Sequence, residues 1–283
     1  MTGNHAEQAD AAQSPFSDGA SSATEAADRL QLTDSEREAI FRNCRHYWLG
    51  YGSRLRIDTG MTLYSAGVRD PQLNGVMWMG PGDLGTRVDE ARHCFADLPW
   101  LWWVGPDSDP GTLDVLLARH GRPVGVSPVM AIRTDRVADV PHPPGLVVEE
   151  LAPDADLAPW VRTYGPPMGI AAEEIPAMIR AEEARTDPPG CLVRFAARLD
   201  GEIVAVSELL MRDGVAGIYL VATAAARRRL GLGAAVTAAA VRLGGRRGAL
   251  IAALHATPAG QPLYRRLGFT TIADYRIVSL PPL

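Results

Sequence analysis

The residues best suited to chemistry in this 283-residue chain are two arginines and two glycines between positions 228 and 233. Arg228 and Arg229 precede Gly231 and Gly233, and an alanine-rich run follows. The segment leaves a predicted strand and enters a predicted helix from about Gly233 to Leu243, so unpaired N–H groups and the helix dipole converge there. Glycine permits close backbone approach, and arginine makes paired hydrogen bonds to phosphate oxygens. The pattern therefore predicts a phosphate site.

Two other phosphate-binding loops fit this segment poorly. A Walker loop requires Gly-Lys-Ser/Thr, and all 28 basic residues of the chain are arginine, which also excludes Schiff-base lysine chemistry. A dinucleotide fingerprint requires GxGxxG or GxGxxA and an acidic residue about 20 positions later. The run here is GLGAAV, and the next predicted strand, ALIAALH, carries no acidic residue.

Residues 146–283 resemble the GCN5-related N-acetyltransferase (GNAT) superfamily in two motifs. The family's loop, R/Q-x-x-G-x-G/A, is matched by RRLGLG at 228–233, and its terminal element, L-Y-x-x-L-G-F, by LYRRLGF at 263–269. A predicted strand and helix lie between the two motifs, as in the family. The resemblance implies an α/β (α+β) GNAT fold, in which helices flank a mixed, mostly antiparallel central sheet.

The same resemblance implies an activity. A protein of this kind is an acyl-CoA-dependent N-acyltransferase, which moves an acetyl or similar group from acetyl-CoA or another acyl-CoA to an amine by direct attack. The acceptor is expected to be a small molecule. The alternative is a non-catalytic acyl-CoA-binding or accessory protein on the same scaffold. Tyr264 discriminates between the two, because a pure binder has no need for a phenol beside the thioester.

Roles for individual residues follow from the resemblance. The backbone of Val221, Ala222 and Thr223 would pair with the pantetheine arm in the manner of an added strand. Tyr264 would protonate the leaving thiolate, since the pKa of a phenol, about 10, lies a little above that of a thiol. The pyrophosphate would be held by Arg228 and by the amides of Arg229, Leu230, Gly231, Leu232, Gly233 and Ala234, and the pantetheine would also be contacted by Thr257.

The general base is the weakest part of the match. Some family members carry a glutamate on the strands that correspond to 217–223 or 249–255, and neither strand has one here. Glu208 lies in the apolar strand VAVSELLM, where burial would raise its pKa into a useful range. His255 lies near the point where the two central strands should separate, and its reference pKa suits a base. A third possibility is that water takes the proton.

The first half of the chain repeats the element order of the second. Residues 74–134 and 215–280 each read strand, loop, helix, strand, proline-marked helix, glycine, strand, which indicates a duplicated unit. Asp109 is the predicted N-cap of the first copy's second helix. Asp83 stands where the arginine loop should be, so this copy has lost its chemistry. We predict a disordered leader at 1–33, a degenerate GNAT-like or accessory domain at 34–140, and a GNAT acyltransferase domain at 141–283.

Composition limits the remaining functions. A net charge of −5 argues against a nucleic-acid surface, and no apolar run approaches the roughly 18 residues of a membrane span. Cys44, Cys94 and Cys191 are scattered and form no CxxC motif, so we expect no metal site and a reducing cytoplasm. The expected protein is a cytoplasmic monomer or homodimer whose partner is a small-molecule amine, with no nucleic-acid or membrane partner.

Two further groups of residues have a structural and a functional interpretation. They are the acidic side chains Glu173, Glu174, Glu182 and Glu183, and the tryptophans Trp100, Trp102 and Trp103. The acidic group is interpreted first as a solvated helix face and second as an attraction for a cationic acceptor. The tryptophans are interpreted first as core packing and second as a wall of the acceptor pocket.

Overall fold

The computed structural model describes residues 30–51 and 60–281. Most of the predicted disordered leader, residues 1–29, lies outside this part of the chain. The helices are α1 Asp34–Leu49, α2 Leu84–Cys94, α3 Thr112–Ala118, α4 Ala158–Met168, α5 Ile175–Glu183, α6 Leu232–Arg246 and α7 Gln261–Leu267. The strands are β1 Met61–Ser65, β2 Asn74–Met79, β3 Leu101–Val104, β4 Arg122–Arg133, β5 Val147–Glu150, β6 Leu192–Leu199, β7 Glu202–Arg212, β8 Val215–Thr223, β9 Ile251–His255 and β10 Thr270–Ser279.

The sequence LTDSEREAIF predicts Thr33 as the N-cap of a first helix, and α1 begins there. The hydroxyl of Thr33 accepts a hydrogen bond from the Glu36 backbone N–H at 3.2 Å, and the Glu36 carboxylate accepts one from the Thr33 backbone N–H at 2.8 Å. This reciprocal pair is a capping box, which satisfies two donors that the first helical turn leaves free. The predicted N-cap at Thr33 is confirmed.

Asp-Gly stands between apolar runs at 200–201 and at 213–214, which predicts two hairpin turns, and these turns join three strands. Asp200 and Gly201 have φ values of 54° and 83°, and Asp213 and Gly214 have values of 56° and 74°. Two central residues with positive φ define a type I′ turn, whose twist matches that of the flanking antiparallel strands. Strands β6, β7 and β8 therefore form an antiparallel meander.

Two helix boundaries differ from the prediction. Helix α3 begins at Thr112, with Gly111 at its N-cap, because the Asp109 carboxylate closes a turn with the Gly111 N–H instead of capping the helix. The N-cap prediction at Asp109 was wrong for this reason. The helix predicted over 173–185 spans Ile175–Glu183, after a short 3₁₀ turn at Ala172–Glu174. Pro176 sits in its first turn, where a missing N–H costs little.

All ten strands form one sheet, in the order β1-β2-β3-β10-β4-β9-β8-β7-β6-β5. The last strands of the two predicted halves are exchanged. Strand β4, from the first half, lies between β9 and β10, and β10, from the second half, lies between β3 and β4. The predicted boundary at 140/141 therefore separates the halves in sequence but not in the sheet.

The repeated order of elements is present in the structure. It runs β2-α2-β3-α3-β4 in the first half and β8-α6-β9-α7-β10 in the second. In each half the first two strands of the unit pair in parallel, β2 with β3 and β8 with β9. That the first half is a degenerate copy of the second stays a prediction.

Helices cover both faces of the sheet beside β8. Ile218 packs with Ala238 and Val241 of α6 in one core cluster. Tyr219, the next residue along the strand, points to the opposite face and stacks on Tyr47 of α1, with ring centroids 3.7 Å apart. The α6 side and the α1 side are the names used below for these two faces.

Candidate functional site

A cleft opens where β8 and β9 separate. The two strands pair in parallel from Val215 opposite Ile251 to Ile218 opposite Leu254, and the pairing ends there. On its other edge β8 stays paired with β7 as far as Thr223, through a bulge at which the register shifts. Leu220 lies at this bulge with a φ of 47°, a conformation that costs energy for a side chain with a Cβ. The bulge bends β8 away from β9 and frees one backbone edge of its last residues.

A row of polar side chains crosses the sheet at the inner end of the cleft. Arg194 on β6 lies opposite Glu208 on β7, which lies opposite Tyr219 on β8. His255 follows Leu254 on β9, as Tyr219 follows Ile218 on β8, so the two side chains flank the opening. The structure thus brings two predicted site residues, Glu208 and His255, to the α1 side of one row.

The N-terminus of α6 stands at the outer end of the cleft. Gly231 occupies the N-cap with a φ of 78°, and no side chain in the described ranges caps the helix. Its first-turn N–H groups are therefore free to bind an anion. Arg228 and Arg229 are exposed beside it and form no ion pair with any described residue. The predicted phosphate loop has the expected conformation.

The loop also has the shape that a pyrophosphate requires. A Cβ placed on Gly233 would lie 3.3 Å from the Thr223 hydroxyl and 3.4 Å from a methyl group of Leu263. A side chain at this position would therefore fill the corner between the end of β8, α6 and α7. Glycine keeps that corner open, so a ligand can reach the helix amides along the strand. The residues present fit a CoA-type ligand.

The corresponding helix of the first half has no such free N-terminus. At α2 the Asp83 carboxylate accepts hydrogen bonds from the Thr86 N–H at 3.1 Å and the Thr86 hydroxyl at 2.8 Å. The same contacts lower the pKa of Asp83, so a negative charge already occupies the position of an incoming phosphate. Of these two helices, α6 therefore has first-turn N–H groups free for an anion, whereas the N-terminus of α2 is capped by Asp83.

Tyr264 lies on α7, on the α6 side of the sheet. Its ring is 7% exposed and packs edge-to-face on Phe269, with centroids 6.0 Å apart. Burial raises the pKa of its hydroxyl, and none of the described residues accepts a hydrogen bond from that hydroxyl. A buried, protonated phenol without a protein partner is suited to donate a proton to a ligand.

The imidazole of His255 is held on both ring nitrogens. Nε2 lies 3.2 Å from the sulfur of Cys44 on α1, and Nδ1 lies 3.3 Å from the hydroxyl of Ser127 on β4. Both partners come from the first half of the chain. Burial lowers the pKa of His255 to about 4 and raises the pKa of the Cys44 thiol to about 12. The pair is therefore neutral at physiological pH and not a thiolate–imidazolium pair.

The neutral state of His255 predicts a titration result. In a two-dimensional NMR titration, the ring signal of His255 should not shift between about pH 8 and pH 5, because its pKa lies below that window. A His255→Gln variant identifies the signal by its loss. A midpoint near the reference value of about 6.5 would contradict the enclosed position of the ring.

Glu208 belongs to a buried charge network on the α1 side. Its carboxylate lies 2.9 Å from Nε of Arg194 and accepts a hydrogen bond from the Tyr47 hydroxyl at 2.8 Å. Burial and the nearby Glu182 together raise its pKa to about 7, against the opposing effect of Arg194. The sequence interprets Glu208 first as an outward-facing strand residue and second as a buried acid; it is 0% exposed, so the first interpretation was wrong.

The network contains one more carboxylate than guanidinium groups. Its carboxylates are Glu182, Glu208 and Asp187, and its guanidinium groups are Arg185 and Arg194. Tyrosine hydroxyls link the acids. The hydroxyl oxygens of Tyr47 and Tyr51 lie 3.2 Å apart, and the Tyr51 hydroxyl donates a hydrogen bond to the Glu182 carboxylate at 2.8 Å. An uncompensated buried charge is costly, which is the physical reason for a proton on Glu208 near neutral pH.

Glu182 corrects one sequence interpretation. It was assigned to a solvated helix face, and it is 1% exposed. Its position follows from spacing, because Glu182 lies four residues after the buried Met178 and next to the buried Ala181. The apolar stripe of α5 therefore marks the buried face on which this acid lies. The neighbouring Glu183 is exposed, as the solvated-face interpretation requires.

The other predicted residues have simpler surroundings. Thr257 is exposed, and its hydroxyl accepts a hydrogen bond from the Gly260 N–H at 3.1 Å before α7 begins. Trp102 is buried in the core of the first half. Trp103 is also buried, and its ring meets His255 edge-on with centroids 6.4 Å apart. Core packing thus describes Trp102, while Trp103 also borders the cleft.

The described ranges contain neither a candidate metal centre nor a candidate membrane-spanning helix. Over residues 30–51 and 60–281, no three His, Cys, Asp or Glu side chains are grouped to hold a metal ion. In the same ranges, no helix has the length and apolar character to cross a membrane.

Solved structures with this fold include acetyltransferases. A GCN5-related N-acetyltransferase from Kribbella flavida matches with a TM-score of 0.64 and 22% identity, over 86% of this chain and 95% of that one. A functionally unknown conserved protein from Staphylococcus epidermidis matches with a TM-score of 0.57 and 11% identity, over 81% and 94%. At these identities the likeness concerns the fold, and it extends over both halves of the chain.

The sequence itself matches one family. No curated protein matches the chain. Residues 156–269 match the model of the acetyltransferase (GNAT) family. This range begins just before α4, ends just after α7, and includes both motifs. The resemblance seen in the sequence is confirmed over this range: residues 156–269 match the GNAT acetyltransferase family.

Proposed function

We propose that this protein is an acyl-CoA-dependent N-acyltransferase that moves an acetyl or similar group onto a small-molecule amine by direct attack. The observation that carries the proposal is the uncapped N-terminus of α6 at the mouth of the β8–β9 cleft. Family membership supports acyl transfer in general. The proposed acyltransferase unit is 141–283, completed by β4 from the accessory unit 34–140.

The chain offers a separate contact for each part of an acyl-CoA molecule. Acyl-CoA supplies a thioester whose carbonyl carbon accepts a nucleophile. Arg228, Arg229 and the amides at the start of α6 would bind the pyrophosphate. The free backbone edge at 221–223 would pair with the pantetheine arm, and Thr257 lies exposed beside it. Tyr264, kept protonated by burial, would donate its proton to the departing thiolate.

His255 is the proposed proton acceptor. It flanks the cleft and is neutral, whereas Glu208 is 0% exposed and its carboxylate contacts Arg194 and Tyr47. The amine would bind in its uncharged form. Once its nitrogen bonds to carbon it carries positive charge and becomes acidic. The Ser127 hydroxyl would take this proton as it passes its own hydrogen to Nδ1 of His255, so even a weakly basic imidazole can accept it. Cys44 and Ser127 would fix the ring orientation.

Two matched substitutions separate the candidate bases. His255→Gln should lower kcat with amine acceptors by about 10²-fold, the lower end of general-base contributions. Glu208→Gln has nearly the same shape as the acid and should retain most of the turnover, because the side chain does not face the cleft. Both variants are measured at a temperature where circular dichroism shows them folded. The reverse ranking would make Glu208 the base.

Amine-dependent release of free thiol from acetyl-CoA tests the proposed function. We expect release that rises with amine concentration, together with an acylated amine detected by mass spectrometry. A panel of primary amines of varied charge and size provides the acceptors, and a reaction without amine is the control. CoA binding without turnover on any amine would favour the accessory acyl-CoA-binding protein. Absence of both would exclude each of these functions.

A further inference from the structure

The first half of β4 leaves an edge of the sheet open. Strand β9 pairs with β4 only from Arg133 to Val129, and a last hydrogen bond of 2.8 Å joins the Ala256 N–H to the Pro128 carbonyl. The chain then departs into α7, while β4 continues to Arg122 with β10 on its other side. Residues 122–126 are all exposed, including Val126 at 38%. The space beside residues 122–126 that β9 no longer fills is therefore bordered by free backbone, and it is called the open lane below.

Backbone alternation shows which groups face this lane. Pro128 directs its carbonyl toward β9, and in a strand every second residue directs its N–H and C=O to the same side. Val126 is the next such residue. The register with β10 is regular through Gly125 opposite Ile277, so the alternation holds at Val126. Its N–H donor and C=O acceptor face the open lane and have no partner among the described residues.

The open lane joins the cleft described above. Adjacent strands lie about 4.8 Å apart, so β8 and β4 stand about 9.6 Å apart where β9 separates them, which is the width of one extended chain. Beyond Ile218 β8 no longer pairs with β9 and bends at its bulge, so the cleft widens toward its mouth. A pantetheine arm on the free edge of β8 would leave room for a second extended chain on the free edge of β4. His255 and Ser127 lie at the inner end of this lane.

We propose that this edge binds the acyl acceptor, and that the acceptor is the N-terminal amine of a short peptide. The inference rests on the proposed function and names its substrate class. A peptide whose amine reaches His255 and whose chain leads outward runs in the direction of β9. It therefore pairs with β4 in antiparallel fashion, the more favourable arrangement. Val124 and Val126 offer apolar contacts for its side chains.

A second copy of this chain is a poorer occupant of the edge. Only the short segment 122–127 is open, and β4 is bulged at Val124, where the register with β10 shifts. Stable protein interfaces bury about 1,200–2,000 Å² in total, far more than six residues of one edge present. A short peptide needs only the few backbone hydrogen bonds that Val126 and its neighbours provide.

Alternate N-methylation of a peptide acceptor tests the proposal. The acceptors are Ala-Val-Ala amide, two analogues methylated on one backbone nitrogen each (residue 2 or residue 3), and benzylamine as an acceptor without backbone amides. Thiol release gives kcat/KM for each. The variant Val126→Pro removes the exposed donor. Its matched control, Val126→Ala, shortens the same exposed side chain and keeps the N–H donor.

Strand pairing predicts an alternating result. One methylated analogue should lose about tenfold in kcat/KM, or about 1.4 kcal/mol, and the other should change by less than about twofold. Val126→Pro should reduce the kcat/KM of the unmodified peptide about tenfold relative to Val126→Ala and leave benzylamine unchanged. Equal use of all three peptides by the wild type, or a Val126→Pro effect confined to oligomeric state, would overturn the inference. Turnover of benzylamine in that case would leave the proposed function intact, whereas no turnover of any acceptor would overturn both.

Discussion

Tyr264→Phe is expected to lower the turnover of acetyl-CoA with amines by about 10²-fold, with CoA affinity changed by less than about twofold. The substitution removes one oxygen and leaves the ring in place against Phe269. Because the hydroxyl donates to no described residue, the free energy of unfolding should stay nearly unchanged. A loss of kcat without a loss of binding or stability is the signature of a proton donor used only as the thiolate departs.

Tyr164→Phe is the matched control for this effect. Tyr164 lies on α4, outside the cleft, and is also buried. Its hydroxyl donates a hydrogen bond to the Glu182 carboxylate at 3.1 Å. Its loss should lower the free energy of unfolding by about 1 kcal/mol and leave turnover unchanged at a temperature where the variant is folded. If Tyr264→Phe turned over acetyl-CoA like the wild type, Tyr264 would have a packing role and water would protonate the thiolate.

Glu182→Ala is expected to have the largest effect on stability. Its carboxylate accepts hydrogen bonds from Tyr51 at 2.8 Å and from Arg194 at 2.8 Å, in a site with no exposure. Removal leaves a guanidinium and two tyrosine hydroxyls short of an acceptor in the core. Breaking a buried pair in this way costs about 3–5 kcal/mol of unfolding free energy, measured by urea denaturation.

Glu183→Ala provides the comparison on the same helix. Glu183 is exposed, so its removal should change the unfolding free energy by less than about 0.5 kcal/mol. Glu182→Gln, which keeps an acceptor oxygen for the tyrosines but loses the charge opposite Arg194, should fall between the two alanine variants. Equal stability of Glu182→Ala and Glu183→Ala would show that the network adds nothing to the fold.

Local signals in the sequence predicted the parts of the site that depend on neighbouring residues. The turns at Asp200 and Asp213 need positive φ at two successive positions, and Asp-Gly meets that need at both. Gly231 and Gly233 mark the start of α6 because the positive φ at the N-cap and the close contacts around position 233 both favour glycine. Sequence alone was therefore sufficient for the meander and for the glycine start of α6, and that this loop binds phosphate stays a prediction.

Contacts between segments that are far apart in the chain could not be predicted from the sequence. Cys44 and His255 are 211 residues apart, and nothing in the pattern of either segment specifies the other. The exchange of β4 and β10 is of the same kind, because an alternating strand does not encode its partner. Through this exchange β4 pairs with β9 and brings Ser127 to His255.

Calorimetric titration of CoA into the wild type, Gly233→Val and Gly245→Val tests most directly whether the N-terminus of α6 and the end of β8 form a CoA cradle. Both glycines lie on α6, and a Cβ at either would approach its nearest neighbour to a similar distance, 3.3 Å at Gly233 and 3.2 Å at Gly245. Only Gly233 faces the cleft. We expect the wild type and Gly245→Val to bind CoA alike and Gly233→Val to bind at least about tenfold more weakly, a loss of about 1.4 kcal/mol. Equal affinity in all three proteins, or no binding by the wild type, would contradict the proposed site.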